Sequence, residues 1–157
     1  MDNTLWDELD RKILQLLAND AKISFLEVSR ICNVSGAAVH QRVQKMAANG
    51  IIIGSEFRFN MPAVGYRTCV FASLSFDPTA DADQITARLE GIPEIVECHV
   101  VIGASDFLVK IYARDNDHLL DIIHKQIKPL GIQNVESVIS CREAFHRQLS
   151  SFGTGEK

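Results

Sequence analysis

The first fifty residues place apolar side chains three and four positions apart, which is the spacing of helices with one buried face. The first predicted helix carries its apolar positions at Leu9, Ile13, Leu16 and Leu17. Thr4 can cap this helix, and the Asp7 side chain can accept the backbone N–H of Thr4 to complete a capping box. Ser24 and Glu27 repeat that arrangement and open a second, shorter helix, which ends at a turn over residues 32–34. The inward side of the second helix is expected to hold Leu26 or Val28 together with Ile31.

Ser35 caps a third predicted helix whose two sides differ. Val39, Val43 and Met46 stand at positions i, i+4 and i+7, so they share one apolar side. The opposite side is small and polar, because a rotation of about 100° per residue places there Ala37, Gln41, Gln44 and Ala48, flanked by Ala38, His40 and Lys45. A solvated surface would explain that side, and so would contact with nucleic acid.

Two helices joined by a turn of about three residues fit a helix-turn-helix, in which the front of the second helix meets base edges. Gly36 and the alanines behind it would permit close approach of the backbone. Gln41 and Gln44 suit base edges, whereas Arg42 and Lys45 suit phosphates. The candidate DNA-binding residues are Ser35, Gly36, Ala37, Ala38, His40, Gln41, Arg42, Gln44 and Lys45.

An alternating segment follows the third helix, which ends at Asn49 and Gly50. Phe57 and Phe59 alternate with polar residues over 56–60, and this pattern predicts a strand. Such a strand would be the wing of a winged helix-turn-helix.

The second half of the chain alternates between strand and helix patterns. Strands are predicted over 66–76, 95–103, 106–113 and 135–140, and helices within 77–92 and 116–131. This order is that of the ferredoxin-like βαββαβ fold, one antiparallel sheet with both helices on one face, so the fold class is α+β. The inward positions are expected to be Val70, Ala72, Leu74 and Phe76 on the first strand, Ile85 and Leu89 on the first helix, and Leu119, Ile122, Ile123 and Ile127 on the second.

The net charge of −4 hides an uneven distribution, which matters because phosphate contacts need local positive charge. Residues 21–60, which include the candidate helix, hold five Lys or Arg against two Asp or Glu, whereas residues 1–20 hold two against five. No apolar run of about 18 residues predicts a membrane span, and the acidic N-terminus is unlike a signal peptide. A cytoplasmic protein with no membrane partner is expected.

The absence of catalytic motifs and the spacing of the histidines and cysteines argue against an enzyme or a metalloprotein. The motifs of serine hydrolases, phosphate-binding loops and zinc proteases are absent from the sequence. His118 and His124 lie six residues apart, so they fall on different helix faces and are expected to be solvated. Without ligand spacing, buried free thiols are expected at Cys32, Cys69, Cys98 and Cys141. We therefore expect no catalytic residue, no metal and no cofactor.

Four segments occur in an order that resembles the Lrp/AsnC feast-or-famine transcription regulators: "LDRKILQLLANDAKIS", "LEVSRICNVS", "VHQRVQKMAANGIIIG" and "ECHVVIGASDFLVK". The resemblance runs from about Leu9 to Arg142. Two positions depart from the family pattern: Gly36 stands where a proline is frequent, and Ser55 where an aromatic is usual. The resemblance implies double-stranded DNA as a partner, a second subunit on the sheet face opposite the helices, and octamers built from four dimers.

The hairpin loop of Gly103, Ala104, Ser105 and Asp106 has the composition of any tight turn. The resemblance implies more, since family members bind amino acids beside the corresponding loop, and the glycine and aspartate of their motif stand at Gly103 and Asp106. Ala104 and Ser105 depart from that motif, in which an aromatic is common at the second of these positions. Ser105 therefore suggests a roomier or more polar pocket, and the identity of the effector's side chain stays open. Asp106 would either accept a hydrogen bond from an α-ammonium group or hold the amides of the loop itself. These four residues form the candidate effector-binding site.

The sequence therefore predicts a sequence-specific DNA-binding transcriptional regulator whose assembly or DNA binding responds to a small molecule. The resemblance implies that this small molecule is an amino acid. Residues 1–60 are expected to form the winged helix-turn-helix, 61–142 the ferredoxin-like domain for effector binding and oligomerisation, and 143–157 a loose tail. The alternative is a stand-alone small-molecule sensor, or a regulatory module of an enzyme, that does not bind DNA.

Overall fold

Capped helices fill the first part of the structure, a computed structural model that describes residues 6–152. The helices are α1 at Glu8–Asn19, α2 at Phe25–Cys32 and α3 at Gly36–Ala48. Ser24 and Ser35 cap α2 and α3 as predicted, each accepting a backbone N–H bond at 3.1 Å. Asn33 ends α2 in the left-handed region at φ 55°, a conformation that asparagine tolerates and that turns the chain toward α3. The predicted helix-turn-helix is confirmed.

The start of α1 differs from the prediction that Thr4 caps it and Asp7 answers. Asp7 is the N-cap: its Oδ1 accepts the N–H of Asp10 at 2.9 Å, and Asp10 Oδ2 accepts the N–H of Asp7 at 3.0 Å. Aspartate is at least as good an N-cap as threonine, and its negative charge is favoured at a helix N-terminus. The capping box therefore lies three residues further along, and Thr4 lies outside the described residues.

The three helices enclose a core of Ile13, Leu14, Val28, Val39 and Met46. The inward positions predicted for α1 and α3 belong to this core or pack against it. On α2 the core-facing row is Phe25, Val28 and Cys32, at positions i, i+3 and i+7. Leu26 and Ile31 flank that row and are exposed, so the expectation that Ile31 packs inward is wrong.

Phe152 contributes to the same core. Residues 143–152 form neither helix nor strand, yet the ring of Phe152 packs edge-on against Trp6 with their centroids 5.8 Å apart. One unit of the structure thus combines residues up to Phe57 with the segment from Phe145 onward. The other unit, Arg58–Ala144, is inserted between these two parts of the sequence.

The strand predicted over 56–60 does not form, so the prediction of a wing is wrong for this chain. The segment carries no strand pairing, and Phe57 and Phe59 are 73% and 71% exposed. A strand needs a neighbour for its N–H and C=O groups, and none of the described strands is hydrogen-bonded to this segment. An alternating pattern shows that one side of a segment is apolar, but it does not show that a neighbouring strand is present to pair with it.

The second unit has the predicted ferredoxin-like order. Its strands are β1 at Thr68–Phe76, β2 at Ile95–Val100, β3 at Phe107–Ala113 and β4 at Ile132–Ser140. Its helices are α4 at Ala82–Glu90 and α5 at Asn116–Asp121, which continues as a π-helical turn to Ile127 and a 3-10 turn to Leu130. All strand pairs are antiparallel and the spatial order is β2-β3-β1-β4, with β2 and β4 at the edges.

One face of the sheet packs against the helices. The inward positions predicted for β1, α4 and α5 are buried, except that Phe76 is half-buried and packs against the same core. Phe107, Val109 and Ile111 of β3 complete this layer, alternating with more exposed residues as the two-residue period requires. A short 3-10 helix at Met61–Val64 precedes the sheet.

The other face of the sheet lies opposite α4 and α5 and carries polar and aromatic side chains. Phe71 stands opposite Lys110, and Lys110 stands opposite Glu97 on the next strand. Lys110 Nζ lies 3.1 Å from Glu97 Oε1, 5.8 Å from the ring centroid of Phe71 and 5.6 Å from that of Tyr112. Partial burial raises the pKa of Glu97, but the hydrogen bond and charge of Lys110 outweigh it, so the pKa lies below its ordinary value. We call this surface the open sheet face.

Candidate nucleic-acid and effector sites

The outer side of α3 is set by the side that α3 buries. Val39 and Met46 are in the core, so the opposite side points to solvent. The structure leaves exposed on it Ala37, His40, Gln41, Gln44 and Lys45, while Gly36 and Ala38 at the helix front are half-buried. Ser35 Oγ is engaged as the N-cap, accepting the N–H of Ala38 at 3.1 Å. No acidic residue occurs within α3, so the surface is neutral to basic.

Arg42 is placed differently from the other basic residue of this helix. Its Nη1 lies 2.7 Å from Asp7 Oδ2 and 2.8 Å from Asp10 Oδ1, and its side chain is only one-third exposed. Lys45 is exposed and has no ion pair among the described residues. The sequence suggested that both residues bind phosphate, but the structure leaves only Lys45 unengaged.

The charges around Arg42 reinforce one another. Burial raises the pKa of Asp7, but the N–H of Asp10 and the Arg42 guanidinium outweigh it, so the pKa of Asp7 lies below its ordinary value. The two carboxylates in turn raise the pKa of Arg42, Asp10 having the larger effect. The stability that Asp7 contributes is present above its ordinary pKa and is lost only as the pH falls through the lowered value. The ion pair between Asp7 and Arg42 is therefore intact at neutral pH.

The loop between β2 and β3 is tied to β1 by Asp106. The carboxylate Oδ2 of Asp106 accepts the N–H of Phe76 at 3.0 Å, and its own N–H donates to the carbonyl of Leu74 at 3.0 Å. Its carbonyl closes the hairpin by accepting the N–H of Val101 at 3.0 Å. Of the two roles considered for Asp106, the structure shows the supporting one, with a backbone amide of the neighbouring strand as the partner.

The rest of this loop offers open space. A Cβ at Gly103 would meet no heavy atom within 4 Å. Ala104 is exposed and Ser105 is half-buried. The apolar side chains of Val100 and Ile102 stand exposed beside the loop. The four predicted effector residues thus form one exposed hairpin end, in which only Asp106 makes a side-chain hydrogen bond among the described residues.

Sequence reasoning missed a cavity of about 440 Å³ on the open sheet face, whose lining mixes aromatic and charged side chains. Its walls include four basic residues, Arg58, Arg67, Lys110 and Arg142. Arg58 Nη2 is paired with Glu143 Oε1 at 2.6 Å, so the side chains that line the cavity come from both ends of this unit's sequence. No local pattern could have indicated the cavity, because its residues are brought together only by the fold.

The structure differs from the expectations that His118 is solvated and that Cys98 and Cys141 are buried. His118 is not solvated: its Nδ1 accepts the N–H of Arg114 at 3.2 Å and its Nε2 lies 3.5 Å from Glu94 Oε1. Cys98 and Cys141 are exposed, because β2 is an edge strand and Cys141 follows the end of β4. Partial burial raises the pKa of Cys69 and Cys98, which disfavours the reactive thiolate.

Residues 6–152 contain no group of three or more His, Cys, Asp or Glu side chains arranged to hold a metal ion. Among the helices of that part of the chain, none has the length and apolar character needed to cross a membrane.

A helix-turn-helix unit together with a ferredoxin-like unit defines the class of two-part transcriptional regulators. The family model described as the Lrp/AsnC ligand binding domain matches residues 69–149, and that of the AsnC-type helix-turn-helix domain matches residues 7–47. The chain belongs to the Lrp/AsnC family. It is a transcriptional regulator with a DNA-binding helix-turn-helix and a ligand-binding domain.

Individual relatives agree with this assignment over nearly the whole chain. The regulatory protein AsnC of Escherichia coli is 29% identical over 150 residues, covering 95% of this chain and 99% of the relative. Its solved structure superposes with a TM-score of 0.82 at 27% identity, covering 93% of this chain and 99% of that one. An uncharacterised HTH-type transcriptional regulator of Pyrococcus abyssi is 33% identical over 134 residues, covering 85% of this chain and 84% of the relative.

One similar structure contains an amino acid. It is a transcriptional regulator of Neisseria meningitidis in complex with L-Met, with a TM-score of 0.83 and coverage of 90% of this chain and 94% of that one. At 22% identity this likeness bears on the fold alone.

Proposed function

We propose that α3 is the recognition helix of this regulator and that an amino acid, bound at the loop 103–106, modulates its DNA binding or assembly. The observation that supports the DNA half best is the outer side of α3, which lacks acidic residues in a chain of net charge −4. Its small front, Gly36 to Ala38, allows the backbone close to a groove. Gln41 and Gln44 reach base edges, and Lys45 neutralises a phosphate. The protein acts by binding rather than by catalysis, in the cytoplasm where DNA is available.

The test of DNA binding is a gel-shift titration of the purified protein on DNA from upstream of its own gene. We expect tighter binding to this fragment than to a random duplex of equal length, and a fall in affinity with salt, because bound Lys and Arg release counterions. Each titration is run at two stated salt concentrations. Equal binding to both duplexes would contradict specific recognition, and no binding would favour a sensor that does not bind DNA.

The effector half rests on the ligand-binding domain and on the open end of the hairpin. The matched ligand-binding domain includes the loop at Gly103 to Asp106, and a Cβ at Gly103 would meet no heavy atom within 4 Å, so this end of the hairpin is accessible. The L-Met held by the Neisseria meningitidis regulator supports an amino acid as the chemical class to test first. A backbone-lined loop suits the shared α-amino and α-carboxylate groups of all amino acids.

The open sheet face is the surface for a second subunit, and dimers assemble further to an octamer. Phe71 and Val138 stand opposite each other on this face, and Phe57 and Phe59 lie exposed in the segment that precedes it in the sequence. Apolar side chains left in solvent on a sheet face favour burial against another sheet. A twofold dimer would also place two recognition helices for two half-sites of DNA.

Val138→Asp is expected to dissociate the dimer without unfolding the subunit, because Val138 is exposed within one chain and an unpaired charge is costly to bury at an interface. The matched control is Leu120→Asp, which places the same charge at an exposed leucine of the helix layer. Light scattering measures both at micromolar concentration. A wild-type monomer, or equal dissociation of the two variants, would contradict this assignment of the face.

A further inference from the structure

Arg42 closes a hydrogen-bonded network with the first residues of α1. Asp7 Oδ1 and Asp10 Oδ2 serve the capping box, each accepting the other residue's N–H. The remaining oxygens, Asp7 Oδ2 and Asp10 Oδ1, both face Arg42 Nη1 at 2.7 and 2.8 Å. Every carboxylate oxygen of the pair therefore has a partner, and the Asp10 side chain is only 5% exposed.

This network links α3 to α1 in a way that the apolar core does not. The apolar core sets which side of α3 faces solvent, but contacts among Ile13, Val39 and Met46 are not directional, so they define the rotation of α3 about its axis less sharply than hydrogen bonds do. Two ion pairs to one guanidinium fix that rotation, since a shift of one residue turns a helix by about 100°. Arg42 is the immediate neighbour of Gln41 and lies two residues before Gln44.

We propose that Arg42 is a positioning residue of the DNA site: it fixes the rotation of α3 against the N-terminus of α1 and binds no phosphate. The inference rests on the proposed recognition role of α3. It assigns Asp7 and Asp10 to the DNA site as well, although neither contacts DNA. Sequence-specific affinity then depends on two acidic residues, which would by charge alone weaken binding to a polyanion.

Asp7→Asn separates the two possible roles of Arg42 by the sign of its effect. If Arg42 bound phosphate, removing a neighbouring negative charge would release the guanidinium and strengthen binding to all DNA. If Arg42 positions α3, the same change loosens the helix and weakens specific binding. The Asp7 side chain is 56% exposed, so this substitution is the mildest way to open the network.

The experiment measures the affinity for the upstream fragment and for a random duplex, and the dependence of each affinity on salt concentration. The proteins compared are the wild type, Asp7→Asn, Arg42→Lys, Arg42→Gln and the double variant Asp7→Asn with Arg42→Gln. Lys45→Gln is the positive control for a phosphate ligand on the same helix, since it should lower the salt slope while Arg42→Gln should not. We expect Asp7→Asn and Arg42→Gln each to lower specific affinity by about tenfold or more, the loss expected for misplaced base contacts. We expect the salt slope to stay at the wild-type value, Arg42→Lys to restore part of the affinity, and the double variant to resemble Arg42→Gln.

Three results would overturn the inference. The first is tighter binding by Asp7→Asn together with a reduced salt slope in Arg42→Gln, which would make Arg42 a phosphate ligand. The second is a lower melting temperature with unchanged specific affinity at a temperature where each variant is folded, which would make the network purely structural. The third is a wild type with no preference for the upstream fragment, which shows in the wild-type arm alone that the proposed recognition role of α3 has failed.

Discussion

Lys45→Gln is expected to weaken binding to every DNA sequence, because Lys45 is exposed on α3 with no carboxylate partner among residues 6–152. The salt slope should fall by about 0.9 for each phosphate that the side chain no longer neutralises, counted in each half-site. A charge-assisted hydrogen bond is worth roughly 1.5–3 kcal/mol, so affinity should drop about tenfold or more. Gel-shift titrations over a range of salt concentrations measure both quantities.

The matched control for Lys45 is Lys128→Gln, which removes an equal charge from an exposed lysine of the ligand-binding unit. If both variants lose the same affinity, the effect is one of net charge and α3 is not the DNA surface. If Lys45→Gln weakens the upstream fragment but leaves the random duplex unchanged, Lys45 reads bases and the assignment to phosphate is wrong.

The outer side of α3 could be predicted because one side of a capped helix was fixed by its apolar spacing. Ser35 sets where the helix begins, and the burial of Val39 and Met46 then determines which residues face solvent. The second unit was predictable for a similar reason, since strand and helix periods differ and their order permits few antiparallel sheets.

Contacts between distant parts of the sequence could not be predicted. Arg42 pairs with residues 32 and 35 positions earlier, and Asp106 with an amide 30 positions earlier. Nothing local distinguishes Arg42 from Lys45, since both are basic residues on or beside the polar side of one helix. Only the packing of α1 beside α3 decides which of them meets Asp7 and Asp10.

Two local predictions failed because the local signal was incomplete. Thr4 and Asp7 matched a capping box, but Asp7 and Asp10 match one as well, and the aspartate pair also accommodates Arg42. The segment over 56–60 alternates like a strand but is hydrogen-bonded to no strand of the described chain. If the second subunit pairs with this segment, the alternation is a property of the assembly rather than of one chain.

Asp106→Ala is expected to weaken amino-acid binding about tenfold or more while the free protein still binds DNA. Removing the carboxylate leaves the Phe76 N–H without its 3.0 Å acceptor and releases the loop from β1. An unsatisfied partner of this kind costs about 1–3 kcal/mol. A loop that must first be ordered binds its ligand with correspondingly lower affinity. Calorimetric titration of the twenty amino acids into the wild type identifies the ligand, which is then titrated into the variants.

Asp106→Asn distinguishes support of the loop from direct contact with the effector. The asparagine oxygen still accepts the Phe76 N–H but carries no charge for an α-ammonium group. Because the carboxylate of Asp106 accepts a backbone N–H, we expect Asp106→Asn to bind the amino acid with an affinity within about threefold of the wild type, since most of the hydrogen bond is kept.

Asp77→Ala is the charge-matched control, since the Asp77 carboxylate accepts hydrogen bonds from Thr79 in its own turn. An asparagine variant as weak as the alanine variant would make the negative charge itself the ligand contact. If no amino acid binds the wild type, Gly103 to Asp106 is a structural turn and the proposed effector site is wrong.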